Sequence, residues 1–167
     1  GSLGDLLRTP TSIKDVLVII DQVLDALGCL HSRGLVHQDL KPDNVLLSDG
    51  AEAGPWAWVA DLGVAGARAE LGMEGRSALP GTPRWMAPEQ LNGSVAELGP
   101  WTDLYAVGLM LYEVLGGSPV VEESRAKLLA IRSAGIPEMP WEVSDPVCQL
   151  VGNLLDPEPC QRYDRAA

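Results

Sequence analysis

With 167 residues, 46% of them apolar, 21% charged and 5% aromatic, the chain has the composition of one globular domain and not of a disordered or collagenous segment. Its 12 Lys and Arg against 23 Asp and Glu leave a formal charge of −11, which repels a phosphate backbone and argues against nucleic acid as a partner. No run approaches the ~20 apolar residues that a bilayer crossing needs, so no membrane segment is expected.

Taken in chain order, Gly1-Ser2 has the look of an added leader, with no secretory signal behind it. Residues 12–33 form a long helix by their period: apolar side chains fall at 16, 17, 20, 23, 24, 27 and 30, Ser12 and Asp15 are spaced as a capping box, and Gly34 is placed to stop the helix. The short apolar runs Leu35-Val36 and Val45-Leu46-Leu47 follow, and Trp56 to Ala60 reads as a partner strand for the second. Between Gly63 and Pro83 no period survives, and so long a loop usually carries function. Trp101 to Leu115 is apolar nearly all round, a helix buried on every side, with Thr102 as candidate N-cap and Gly116-Gly117 as stop. Two more helices are expected over Glu122 to Ser133 and Val143 to Leu155, the second capped by Ser144 with Pro146 in its first turn. The fold class is therefore mainly α (α+β), with a small β-hairpin. Cys29, Cys148 and Cys160 form no Cys-x-x-Cys, so neither a disulfide framework nor a zinc site is indicated, and a reduced, cytoplasmic (intracellular) setting is expected.

The chemistry gathers between the first helix and the long loop. His37-Gln38-Asp39-Leu40-Lys41-Pro42-Asp43-Asn44 puts a carboxylate, an ammonium and an amide in one loop, and Asp61-Leu62-Gly63 adds a carboxylate after the hairpin. Phosphoryl transfer asks for this set: an Asp to orient a hydroxyl and accept its proton, a Lys to neutralise the moving phosphoryl, and Asn and Asp oxygens to hold magnesium. Taken singly, each piece has a plainer reading as a turn, a core histidine or a solvated loop.

Together and in this order the pieces resemble the large C-terminal lobe of eukaryotic-like protein kinases. His37-Gln38-Asp39 stands for His-Arg-Asp, Asn44 for the metal-binding Asn, Asp61-Leu62-Gly63 for Asp-Phe-Gly and Ala87-Pro88-Glu89 for Ala-Pro-Glu. Lys41-Pro42-Asp43-Asn44 and Gly81-Thr82-Pro83 resemble the serine/threonine-specific branch. The resemblance implies Asp39 and Lys41 as catalytic residues, Lys41, Asn44 and Asp61 around ATP, Asn44 and Asp61 on Mg2+, and Thr82 and Gly63 in the activation segment and substrate groove. It further implies structural roles for His37, for Asp103 as an anchor of the catalytic loop, and for Glu89 paired with Arg162. Its segments here are 1–11 after the hinge, 12–33 the long helix, 35–48 catalytic loop and strand, 61–89 activation segment, 101–116 central helix and 122–167 C-terminal helices.

Two departures follow. Gln38 replaces the Arg that in many kinases pairs with an activation-loop phosphate, so phosphorylation of Ser77, the only hydroxyl between Gly63 and Gly81, is expected to lack that partner. The sequence before Ser12 holds no G-x-G-x-x-G loop and no strand Lys, so the small ATP-clamping lobe is expected to be missing, supplied in cis or in trans, and the chain alone to be inactive. The expected whole is a kinase acting on protein Ser and Thr hydroxyls. A pseudokinase and a lobe serving only as a protein-protein scaffold, with possible oligomers through its exposed face, stay open as alternatives.

Overall fold

The computed structural model describes residues 1–9, 11–48, 55–62, 82–117, 124–135, 143–164 and 166. The fold is mainly helical, with one two-stranded antiparallel sheet. Its helices are α1 (Leu3–Leu6), α2 (Ile13–His31), α3 (Pro88–Asn92), α4 (Pro100–Val114), α5 (Arg125–Ser133) and α6 (Asp145–Leu154), and its strands β1 (Val45–Ser48) and β2 (Trp56–Val59).

Helix α4 is the axis of the core. Every residue from Thr102 to Tyr112 is buried, as its unbroken apolar character requires. Against it α2 lays the stripe Val16, Ile19, Ile20, Val23 and Leu27, and α6 adds Val151 and Leu154. Gly108 is the point of closest approach, since a Cβ there would stand 2.8 Å from Leu154 Cβ. A smaller cluster of Met86, Leu91 and Leu128 packs α5 under α3.

Helix α2 ends as a Schellman turn. The Leu35 N–H donates to the Leu30 carbonyl at 3.1 Å and the Gly34 N–H to that of His31 at 3.0 Å. Gly34 has φ of 72°, which a residue without Cβ adopts at no steric cost. Strand β1 then pairs with β2 in the register Val45↔Val59 and Leu46↔Trp58. The Gln22 side chain ties α2 to this hairpin, accepting from the Ala57 N–H at 2.9 Å and donating to the Pro55 carbonyl at 3.1 Å.

Several expectations are corrected. The capping box is not at Ser12, whose side chain makes no cap bond; it is at Ser2, where Oγ accepts from the Asp5 N–H and the Asp5 carboxylate accepts from the Ser2 N–H. That bond from the Ser2 backbone holds the Asp5 carboxyl below the usual carboxylate range. The Gly1 backbone exchanges hydrogen bonds with that of Leu47. Helix α4 begins one residue before Trp101 because Pro100, with its φ already helical, takes the first position; Gly99 is the N-cap and Thr102 sits three residues in. Ser144 holds the N-cap position of α6 without a side-chain bond. The expected helix start at Glu122, the site residue Gly63, the loop from Gly63 to Pro80 and Ser77 lie outside the described residues.

Candidate active site

The loop between α2 and β1 is hung on one carboxylate. Asp103, in the first turn of α4 and 1% exposed, accepts the His37 N–H at 2.9 Å and the Gln38 N–H at 2.8 Å, and a third bond comes from His31 Nε2 at 2.9 Å. Its place near a helix N-terminus also favours negative charge. His31 and Gln90 were not legible as site residues. Gln90 donates from Nε2 to the Gln38 carbonyl at 2.7 Å, so Gln38 is held from both sides of its peptide.

That clamp keeps Gln38 at φ of 68°, and Asp61 stands at 66°; among the described residues these are the only non-glycines with positive φ. Such conformations cost on the order of 1–3 kcal/mol each and persist where the surroundings over-determine them. Both fall in the segments singled out for chemistry.

Buried His37 links the two segments. Its Nδ1 accepts the Asp39 N–H at 3.3 Å, which places the ring proton on Nε2, and Nε2 donates to the Ala60 carbonyl at 2.9 Å. The Ala60 N–H donates to the Asn44 carbonyl at 2.8 Å, extending the hairpin pairing by one step. Asn44 and the residue before Asp61 are thereby fixed side by side.

Around Asp39 the bonds converge. Its Oδ1 accepts the Thr82 N–H at 3.0 Å, its Oδ2 lies 3.4 Å from Lys41 Nζ, and Nζ donates to Thr82 Oγ1 at 3.0 Å. Asn44 Nδ2 donates to the Asp39 carbonyl at 2.9 Å, leaving its Oδ1 as the remaining acceptor. Asp39, Lys41, Asn44 and Thr82 thus share one network beside His37, with the exposed Asp61 next to it. One carboxylate oxygen committed to the backbone and one beside an ammonium is an arrangement able to orient a hydroxyl and take up its proton.

Helix α3 is anchored separately. Glu89 of α3 and Arg162 form a buried bidentate ion pair, and Thr102 Oγ1 donates to Glu89 Oε1 at 2.9 Å. Two guanidinium contacts add support that sequence reading missed: Arg125 donates to the carbonyls of Gln90 and Leu91, and Arg132 to that of Arg84.

The profile of the protein kinase domain family matches residues 1–166. The chain is 30% identical over 166 residues to the serine/threonine-protein kinase drp72 of Corynebacterium efficiens, covering 97% of this chain and 31% of that protein. It is 37% identical over 149 residues to the serine/threonine-protein kinase Pkn1 of Myxococcus xanthus, covering 88% and 21%. It is 32% identical over 179 aligned positions to the serine/threonine-protein kinase PknD of Chlamydia pneumoniae, covering 97% and 19%. The chain therefore spans under a third of the length of each of these relatives. With the motifs in order and the match running through the whole chain, it belongs to the protein kinase domain family, in its eukaryotic-like serine/threonine branch.

Proposed function

We propose that in the intact protein this chain supplies the base, the phosphate-facing lysine and the magnesium ligands for transfer of the ATP γ-phosphoryl to Ser or Thr hydroxyls of a protein. The observation that carries this reading is the Asp39 carboxylate divided between the Thr82 N–H and the Lys41 ammonium. Asp39 orients the hydroxyl and takes its proton as the new ester bond forms. Lys41, held by Thr82, steadies the transferring phosphoryl.

The donor set fits magnesium. Asn44 Oδ1 and the Asp61 carboxylate are hard oxygen ligands, few in number, as suits an ion that keeps waters and substrate phosphates in its shell. When bound with ATP, it neutralises charge on the β- and γ-phosphates. Thr82 belongs to the wall along which the substrate segment lies.

The 167 residues correspond to the catalytic-loop lobe and are inactive alone, because positioning supplies most of this catalysis and the chain carries no glycine-rich clamp. Leu46, Trp56 and Trp58, exposed by 44, 56 and 56% on the hairpin, support docking of a nucleotide-clamping lobe there, in cis or in trans. Free Cys29, Cys148 and Cys160 suit a reduced, cytoplasmic setting.

Phosphate transfer from ATP to a protein substrate by the intact protein tests the assignment. Asp39→Asn and Asp61→Asn are each expected to lower kcat at least a thousandfold with an unshifted thermal melt. Normal transfer by Asp61→Asn would sink the assignment, and sustained turnover by the 167 residues alone would sink the claim of inactivity.

A further inference from the structure

The Asp39 side chain leaves the backbone between two peptide planes, and both planes are held. The plane after it is fixed by Asn44, whose Nδ2 donates to the Asp39 carbonyl at 2.9 Å. The plane before it joins the Gln38 carbonyl to the Asp39 N–H. That N–H donates to His37 Nδ1 at 3.3 Å, a long bond, while the carbonyl accepts from Gln90 Nε2 at 2.7 Å. The shorter hold on this plane therefore comes from α3 and not from the loop itself.

The Gln90 amide is committed at both ends. Its Oε1 accepts the Ala87 N–H at 3.1 Å, so Nε2 must face the Gln38 carbonyl, and a flipped amide would satisfy neither bond. Its helix is tied down independently, Glu89 by Arg162 and Thr102, and the Gln90 and Leu91 carbonyls by Arg125. Gln90 thus reaches from a fixed base to a residue that resists its own conformation. Gln38 has φ of 68°, a region its Cβ disfavours, and freeing its carbonyl opens a way back to negative φ. That rotation would turn the plane before Asp39, and with it the direction of the carboxylate.

We infer that Gln90 is a positioning residue, which makes the aim of the Asp39 carboxylate depend on the seating of α3. The inference rests on the reading of Asp39 as the group that meets the substrate hydroxyl. Gln90 touches no reacting atom, and its effect passes through the Gln38 carbonyl. A base must be held within a fraction of an ångström of its productive geometry, and the residues behind it supply that precision. If α3 lifts or turns, the amide goes with it and the base loses its aim.

The test uses the intact protein and Gln90→Met, which keeps the length of the side chain and removes both bonds, with Gln90→Leu used if the methionine variant does not fold. Each is made in wild type and in a Gln38→Gly background, where positive φ carries no Cβ penalty. In wild type, kcat is expected to fall at least tenfold with KM for ATP changed less than twofold. Amide exchange at Gln38 and Asp39 should speed at least tenfold while the α4 amides exchange as before. In the Gln38→Gly background the same substitution should lower kcat less than threefold relative to Gln38→Gly alone. Equal losses in the two backgrounds would make Gln90 a packing residue and overturn the inference. So would unchanged exchange at Gln38 and Asp39, or an acceleration that extends through α4. The expected local exchange in a protein whose wild type shows no transfer would uphold the inference and overturn the proposed activity instead.

Discussion

Arg162 meets Glu89 with both terminal nitrogens, Nη1 to Oε1 at 2.8 Å and Nη2 to Oε2 at 3.1 Å, and neither side chain is more than 1% exposed. The pair joins α3 to the segment after α6. Its remaining valences are met: Arg162 Nε donates to the Asp156 carbonyl at 2.6 Å, Nη2 to that of Pro157 at 3.0 Å, and the Tyr105 ring lies 4.6 Å from the guanidinium carbon. Removing one partner strands a charge in the core, so Glu89→Ala or Arg162→Ala is expected to cost about 3–5 kcal/mol. Replacing both with Met should cost less than the sum of the single losses. Urea unfolding decides, and a midpoint unmoved by Glu89→Ala would rule out the pair as a stabilising contact.

A second prediction concerns packing. A Cβ at Gly108 would stand 2.8 Å from Leu154 Cβ and from Leu155 Cγ, closer than packed carbons come. Gly108 lies mid-helix, where Ala would otherwise be favoured by about 1 kcal/mol. Here the clash between α4 and α6 wins, and Gly108→Ala is expected to destabilise by about 1–3 kcal/mol. A rise in thermal stability would show that the two helices part more easily than this contact implies.

Burial raises the Tyr105 hydroxyl pKa to about 12, against an ordinary value of 10, and the hydroxyl has no hydrogen-bond partner among the described residues. The folded state therefore holds the phenol proton more tightly than the unfolded chain. That contribution is complete below pH ~10 and is lost as the pH rises from about 10 to about 12, up to roughly 3 kcal/mol. Tyr105→Phe should flatten this part of the stability profile and be near neutral at pH 7, since it removes an unpaired polar atom. Equal alkaline losses in both proteins would trace the effect to other groups.

The sequence disclosed most of this where chemistry or period is local. The all-round burial of α4 and the α2 stripe at Val16, Ile20, Val23 and Leu27 follow from spacing, and the Schellman stop from Gly34, but Leu17, counted in that stripe, is exposed and the buried Ile19 is not among its positions. Where two sites satisfy one rule, spacing failed: Ser2-Leu3-Gly4-Asp5 and Ser12-Ile13-Lys14-Asp15 both match a capping box, and only the first closes. Pro100 marked the true start of α4 and was outweighed by the apolar run after it. The site's supports were hidden for another reason. Gln90 reaches Gln38 across 52 residues and Arg84 reaches Glu113 across 29, and such long polar side chains carry no periodic signature.

Thr82 offers a test that separates positioning from folding. Its N–H is bound to Asp39 Oδ1 and its hydroxyl accepts from Lys41 Nζ, so the side chain holds the lysine and the backbone holds the aspartate. Thr82→Ala removes only the first of these. Lys41 and Asp39 side chains are 22% and 12% exposed, so the network is partly wet and the loss in stability should stay near 1 kcal/mol. On the proposed role of Lys41 transfer is another matter, because a lysine free to turn away would no longer meet the phosphoryl in the transition state. In the intact protein kcat is expected to fall about ten- to a hundredfold with little change in KM for ATP, and Thr82→Ser, which keeps the hydroxyl, should restore most of it. If Thr82→Ser is as impaired as Thr82→Ala, the methyl group and not the Lys41 contact is what the site requires.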